Sequence, residues 1–375
     1  IGACMGLFTV WIERNYIGAQ GSEFALTFLE RTQLAAHNVL FYAGKIVWPS
    51  PLTFFYPRWT PDVTNLLQWI PFLVLAGAAA AAWFLRGRIG RGPLATVLLY
   101  AGILFPALGF IDVYPFRYSF VADHFQYHAV PVLVSAITIL VAGAIGRAGI
   151  PRAGGALLLA TTAAGLLGIA RGEAHTYRNL ETLWRDTIEE NDTAWMALNN
   201  LGQMLAKRGE HGEAIALYEA AIRVKSPYPK AQNNLATSLA AIGRGDQALA
   251  QYRAAIEADP ANMNARSNLG LALVNAGQIE EGIAVLQDAI AINPRMPSLH
   301  TNLGVARARA GNVAGALESF RHVVTLTPAD PEAHFRVALT LDRAGDRRGA
   351  LQAMQEVLRI QPGHAGAVAW VAQNR

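Results

Sequence analysis

The chain has 375 residues, 53% of them hydrophobic and only 15% charged, where soluble globular chains carry about a quarter charged residues; part of it is therefore expected to sit in lipid. One cysteine, Cys4, excludes an internal disulfide framework and a cysteine-based metal site. Up to Ala170 there are 10 basic and 6 acidic residues, and after it 21 of each, so the second half is neutral and lacks the clustered basic face that nucleic-acid binding requires.

The opening stretch, Ile1 to Trp11, has neither an initiator Met nor a charged signal-peptide region and reads as the end of a membrane helix, so the chain is expected to be truncated at its N-terminus. Four later apolar runs are candidates to cross a bilayer of about 30 Å: Leu67 to Leu85, Pro93 to Ile111, Val130 to Ile145 and Gly154 to Ala170. Arg86, Arg88 and Arg91 crowd one connection, and Arg147 and Arg152 another, without acidic residues. The positive-inside rule makes both cytoplasmic. Residues 13–65, 112–128 and everything after Arg171 then lie on the far side, which in a bacterial inner membrane is the periplasm. Within the first loop, Leu34 to Trp48 is apolar in patches but carries His37, Asn38 and Lys45, costly at a bilayer centre. It reads as an interfacial or re-entrant helix, with an ordinary short span and a snorkelling Lys45 as the alternative.

Beyond residues 171–194, a linker with half a repeat (Leu180, Trp184 and Thr187 at second-helix positions), the pattern becomes periodic. Leu201, Leu235, Leu269, Leu303 and Val337 stand 34 apart, each followed by a small residue: Gly202, Ala236, Gly270, Gly304 and Ala338. Thirteen positions on come Ala214, Ala248, Gly282, Ala316 and Ala350, and four later Tyr218, Tyr252, Leu286, Phe320 and Met354. Pro260, Pro294, Pro328 and Pro362 close the units, with Pro227 one place late in the first, and Gly209, Gly243, Gly277, Gly311 and Gly345 mark the turns within them. This pattern resembles the tetratricopeptide repeat over residues 195–362. It implies a right-handed helical solenoid with a concave face on the first helices and a capping helix over 363–375. Asn200, Asn234, Asn268 and Asn302 recur at one register, joined by Asn199 and Asn233. As a ladder they are candidates to hold an extended peptide backbone, with interhelical packing as the competing role.

The two far-side loops add Tyr42, Lys45, Pro49 and Leu52 in one pattern and Ala122-Asp-His-x-x-Tyr127 in another. Combined with the repeats, these resemble bacterial relatives of the transmembrane and tetratricopeptide repeat-containing O-mannosyltransferases, which are membrane glycosyltransferases of the GT-C type. The expected fold is thus all-α: a polytopic transmembrane domain over 1–170 followed by a tetratricopeptide solenoid. The resemblance implies transfer of a sugar from a polyprenyl-phosphate donor to protein Ser or Thr, the repeats binding the acceptor. Family enzymes keep their acidic catalytic motif on an earlier loop that this chain does not contain, so no general base is assigned. Asp123 and His124 are candidate supporting residues, and Lys45, Arg58 and Arg117 are candidates for the donor phosphate; membrane-edge contacts with lipid headgroups compete with that role. No metal site or further cofactor is expected. The alternative reading is a non-catalytic, membrane-anchored repeat scaffold.

Overall fold

The computed structural model describes residues 11, 12, 15, 24–110, 114–149 and 151–374. The expected helix end over Ile1 to Trp11 lies almost wholly outside them. Every regular element among the described residues is helical. The chain divides into two compact units, Ile1–Leu198 and Asn199–Arg375.

In the first unit, α1 (Phe28–Val47) starts at a capping box: the Thr27 side chain accepts from the Glu30 amide, and Glu30 Oε2 accepts from the Thr27 amide at 2.6 Å. These bonds hold the exposed Glu30 carboxyl below the usual carboxylate range. Three polar residues on α1 tie it to distant backbone. Arg31 donates to the carbonyls of Leu26, Phe24 and Gly109, Asn38 to those of Ala107 and Phe120, and the Tyr42 hydroxyl accepts from the Ala122 amide. Asn38 and Tyr42 are fully buried. Arg31 and Asn38 thereby satisfy backbone carbonyls and Tyr42 a backbone amide.

After α1 come α2 (Ile70–Phe84), α3 (Gly92–Leu104), α4 (Val130–Arg147) and α5 (Arg152–Thr176). Three stretches, Leu66–Phe84, Val130–Arg147 and Ala153–Thr176, are long and apolar enough to cross a membrane. The run expected from Pro93 to Ile111 is shorter: Gly92–Ala107 falls below spanning length. Its last turn tightens to 3-10 geometry at Phe105–Ala107, where Pro106 lacks an amide proton, and Gly109 follows at φ +94°. The last of these helices conversely extends past the expected Ala170, to Thr176. The half-repeat is α6 (Leu180–Glu190), with Leu183, Trp184 and Thr187 buried. Trp184 stacks on Phe55 and meets Phe54 edge-on, and Asn191 donates to the Phe55 carbonyl at 3.0 Å. Tyr118 of the second loop packs on Phe55 and on Trp195. The half-repeat is thus fastened to the first loop, and the second loop packs on the first loop and on the start of α7.

The repeats form helix pairs: α7 (Trp195–Lys207) with α8 (His211–Val224), α9 (Pro229–Ala241) with α10 (Gly245–Ala258), α11 (Met263–Asn275) with α12 (Ile279–Ile292), α13 (Pro297–Arg309) with α14 (Val313–Leu326), and α15 (Pro331–Arg343) with α16 (Arg347–Ile360). The short α17 (Ala365–Gln373) follows. All five turn glycines have φ between +79° and +86°, the left-handed region that side chains disfavour. After each glycine, the next amide bonds the carbonyl five residues back, as in Glu210 to Leu205 and Gln278 to Leu273. This closure satisfies a carbonyl at the end of the first helix.

Within a pair, the small residue of the first helix faces the large one of the second. A Cβ on Gly202, Gly270 or Gly304 would lie 2.8, 2.5 or 2.5 Å from Tyr218, Leu286 or Phe320. The third pair is tightest, because it has glycine on both sides. A Cβ on Gly282 would lie 2.6 Å from the Gly270 carbonyl oxygen and 2.7 Å from Val274. Alanine fits this place in the other four units, but here the obstruction is backbone, which moves only with its helix. Gly282→Ala is therefore expected to destabilise. The overpacking cost of about 1–3 kcal/mol outweighs a helix-propensity gain of up to about 1 kcal/mol. A lower urea midpoint for loss of helical circular dichroism in the full chain checks this.

Candidate functional site

Two regions hold the residues that sequence singled out. In the first unit, the two loop motifs meet at the bond from Ala122 to Tyr42. Tyr42, Tyr56, Val121 and Ala129 share one buried cluster. Lys45 leaves α1 half-buried, donates to the Pro51 carbonyl and lies over the rings of Phe41 and Tyr56, 5.7 and 5.2 Å from their centroids. The Arg58 guanidinium covers Phe120 at 4.3 Å. Lys45 is engaged within its own segment and Arg58 by the second loop. Arg117, half-buried, closes a 3-10 turn at Tyr114–Arg117. Asp123 and His124 begin the next such turn, Asp123–Gln126, and their side chains lie outside the described residues. Among the described residues no three His, Cys, Asp or Glu side chains gather as a metal site.

In the second unit, the asparagines form a chain of bonds between successive first helices. Asn234 Nδ2 donates to Asn199 Oδ1 at 3.0 Å, Asn268 Nδ2 to Asn233 Oδ1 at 3.0 Å, and Asn302 Nδ2 to Ser267 Oγ at 2.9 Å. Each bond spans 35 residues, one more than the repeat, so a ladder residue reaches the neighbour preceding its own equivalent. At least one amide proton of each donor thus serves packing. Asn199 is fully buried and acts as an acceptor within the stack, also donating to Asn200 Oδ1 at 3.2 Å. Asn200, Asn234, Asn268 and Asn302 are half-buried.

One ladder residue, Asn268, lines a cavity on the repeats. It has a volume of about 390 Å³ and is also lined by Thr237, Tyr252, Leu271 and Asn275, among others. A second, of about 300 Å³, is lined by Val305, Phe320, Leu339, Arg309, Arg336 and Arg343. Their positions correspond two repeats apart: Thr237 to Val305, Tyr252 to Phe320, Asn268 to Arg336 and Asn275 to Arg343. The same pocket recurs with amides exchanged for guanidiniums. Arg309 donates to Asn275 across the repeat boundary, and Arg336 pairs with Glu332 at 3.0 Å.

One repeating device escaped the sequence reading. The residue six after the closing proline bonds that proline's carbonyl: Arg266 to Pro260 with Nε and Nη2, His300 to Pro294 at 2.8 Å, and His334 to Pro328 at 3.0 Å. Its position is periodic, but the side chains differ too much in type to register as a motif.

Models of the tetratricopeptide repeat match residues 192–261, and 233–297, 268–331 and 301–365; the chain carries these repeats. TTC0263, a thermophilic TPR protein of Thermus thermophilus, is 24% identical, covering 48% of this chain and 98% of its own, with a TM-score of 0.43. YrrB, described as a TPR protein with an unusual peptide-binding site, is 23% identical over 50% of this chain and 97% of its own, with a TM-score of 0.38. PilF of Pseudomonas aeruginosa is 23% identical over 45% and 77%, with a TM-score of 0.41. No curated protein matches the chain significantly.

Two outcomes follow. Asn234→Ala strands the buried Asn199 oxygen without its donor and is expected to cost about 1–3 kcal/mol, read from the urea midpoint. Burial, with a smaller contribution from the charge of His322, lowers the His300 pKa from 6.5 against the opposing Pro294 bond. The unfolded chain then binds the extra proton on acidification, so stability falls as pH drops through about 6.5 towards the lower folded-state value and levels off below it. His300→Gln is expected to flatten that part of a pH–stability profile.

Proposed function

We propose that the chain is a membrane-anchored tetratricopeptide scaffold whose groove holds an extended segment of a partner protein. The observation that carries this reading is the recurrence of one pocket at two-repeat spacing, bordered by the amides of Asn268 and Asn275 in one copy and the guanidiniums of Arg336 and Arg343 in the other. Asn234 and Asn268 each use one amide proton in the stack, and the oxygens of Asn234, Asn268 and Asn302 can accept from a peptide amide. The arginines at the second pocket favour a carboxylate-bearing part of the partner, through charge-assisted bonds. The three long apolar helices supply the anchor, and the arginine-rich connections favour the periplasmic side of a bacterial inner membrane for the repeats.

The transferase reading rests on the two loop motifs in combination with the repeats, and no comparison supports an O-mannosyltransferase relative. Sugar transfer from a polyprenyl-phosphate donor, with Lys45, Arg58 and Arg117 at its phosphate, would require Lys45 and Arg58 to leave the contacts they make here. The scaffold reading requires no such change.

The test is selection of 12-residue peptides by the full chain in lipid nanodiscs. Enrichment of acidic peptides is expected, with binding weakened at least tenfold by Arg343→Glu and by Leu271→Arg, and the chain is expected to stay with membranes after a carbonate wash. Selected peptides that bind both variants unchanged, or no enrichment at all, would rule out the groove as the binding site.

A further inference from the structure

The two cavities on the repeats are copies of one another that differ in charge. Asn268 and Asn275 line the first, and two repeats on Arg336 and Arg343 take their places in the second. The wall behind them changes as well. The Thr237 and Tyr252 hydroxyls, 3.0 Å apart, give way to Val305 and Phe320, while Leu271 and Leu339 hold one place in both. By the repeat symmetry the two openings lie on the same face of the stack. They also adjoin, because Asn275 of the first accepts from Arg309 of the second. The polar groups stand within reach of a ligand: Asn275, Arg309 and Arg343 are exposed, and Asn268 and Arg336 are half-buried.

Charge and hydrogen bonding decide what each cavity takes. Arg309, Arg336 and Arg343 line the second and, among the described residues, no Asp or Glu does. Arg336 pairs with Glu332 and Arg309 donates to Asn275, while Arg343 has no partner among the described residues. The cavity is short of negative charge, which a carboxylate supplies through charge-assisted bonds. Among the described residues, no Asp, Glu, Lys or Arg lines the first cavity, so nothing there favours an ion. Asn268 donates to Asn233 and keeps its own oxygen as an acceptor, whereas Asn275 accepts from Arg309 and keeps its amide protons as donors. An amide side chain donates and accepts from separate atoms and so answers both. The distance between the cavities follows from the stack. Helix α9 touches α11, and α11 touches α13; packed helices have axes about 8–10 Å apart, so equivalent points two repeats apart lie about 16–20 Å from each other. An extended chain rises about 3.3 Å per residue and covers that span in about five to six residues.

We propose that the bound segment is bipartite, with an Asn or Gln side chain in the first cavity and an Asp or Glu side chain in the second, about five to six residues apart. This inference rests on the scaffold reading and adds the composition and spacing of the partner. Peptides of 12 residues selected on the full chain in nanodiscs, then synthesised as C-terminal amides so that only side chains carry carboxylates, test it by fluorescence polarisation. The selected peptides are expected to share the two anchors at that spacing and in one order, and three glycines inserted between the anchors are expected to weaken binding at least tenfold. Arg336→Asn combined with Arg343→Asn gives the second cavity the amides of the first. Selection on that variant is expected to replace the acidic anchor with Asn or Gln at the same spacing. Should the variant fail to fold by circular dichroism, the insertion series on the wild-type chain decides alone. Peptides that bind without a fixed spacing, tolerate the insertion, lose binding on amidation or keep their acidic anchor on the folded variant overturn this proposal and leave the scaffold reading standing. No selected peptide at all overturns both.

Discussion

The second unit depends on close crossing of two helices, repeated five times. A large side chain on each second helix fills the space made by a small residue on the first, and Gly202, Gly270 and Gly304 leave no room for a methyl group against Tyr218, Leu286 and Phe320. The contact is steric and tightly constrained, because packed interiors have few voids to absorb an error. The turn glycines and closing prolines serve it by setting where each helix stops. Neither helix buries its apolar stripe alone, so the pairs must stack, and the stack creates the groove.

That constraint explains why the repeats were so legible in sequence. The required residue types are extreme in size or backbone freedom, and they recur at one spacing. The helix pairs, the turn glycines at positive φ and the terminal helix all follow from it. The asparagine ladder was legible only in part. Position marked the residues, but not that their bonds reach back 35 residues to Asn199, Asn233 and Ser267, because the offset arises from how neighbouring first helices lean on each other. The caps on Pro260, Pro294 and Pro328 were hidden for another reason: arginine and histidine perform the same bond, so no single residue type repeats.

The first unit was harder to read because polar residues in an apolar context have two explanations. His37, Asn38 and Lys45 argued against a simple span, and the structure gives each a local use: Asn38 on two carbonyls, His37 on Trp59, and Lys45 on Pro51 and two rings. Hydropathy cannot distinguish a cation awaiting a ligand from one held by its own loop, since the difference lies in contacts between distant residues. The same limit applies to the run after Pro93, where composition continued beyond the point at which Pro106 and Gly109 end the helix. The loop motifs, for their part, meet at Tyr42 and Ala122, so part of what makes them recognisable is packing.

The central claim is that the first helices of the repeats form a working face. Hydrogen exchange on the full chain in nanodiscs, with and without a peptide selected for binding, addresses it most directly. Added protection is expected in α9, α11, α13 and α15, with the second helices α10, α12, α14 and α16 little changed. Protection confined to the second helices, or none on any helix at saturating peptide, would contradict it.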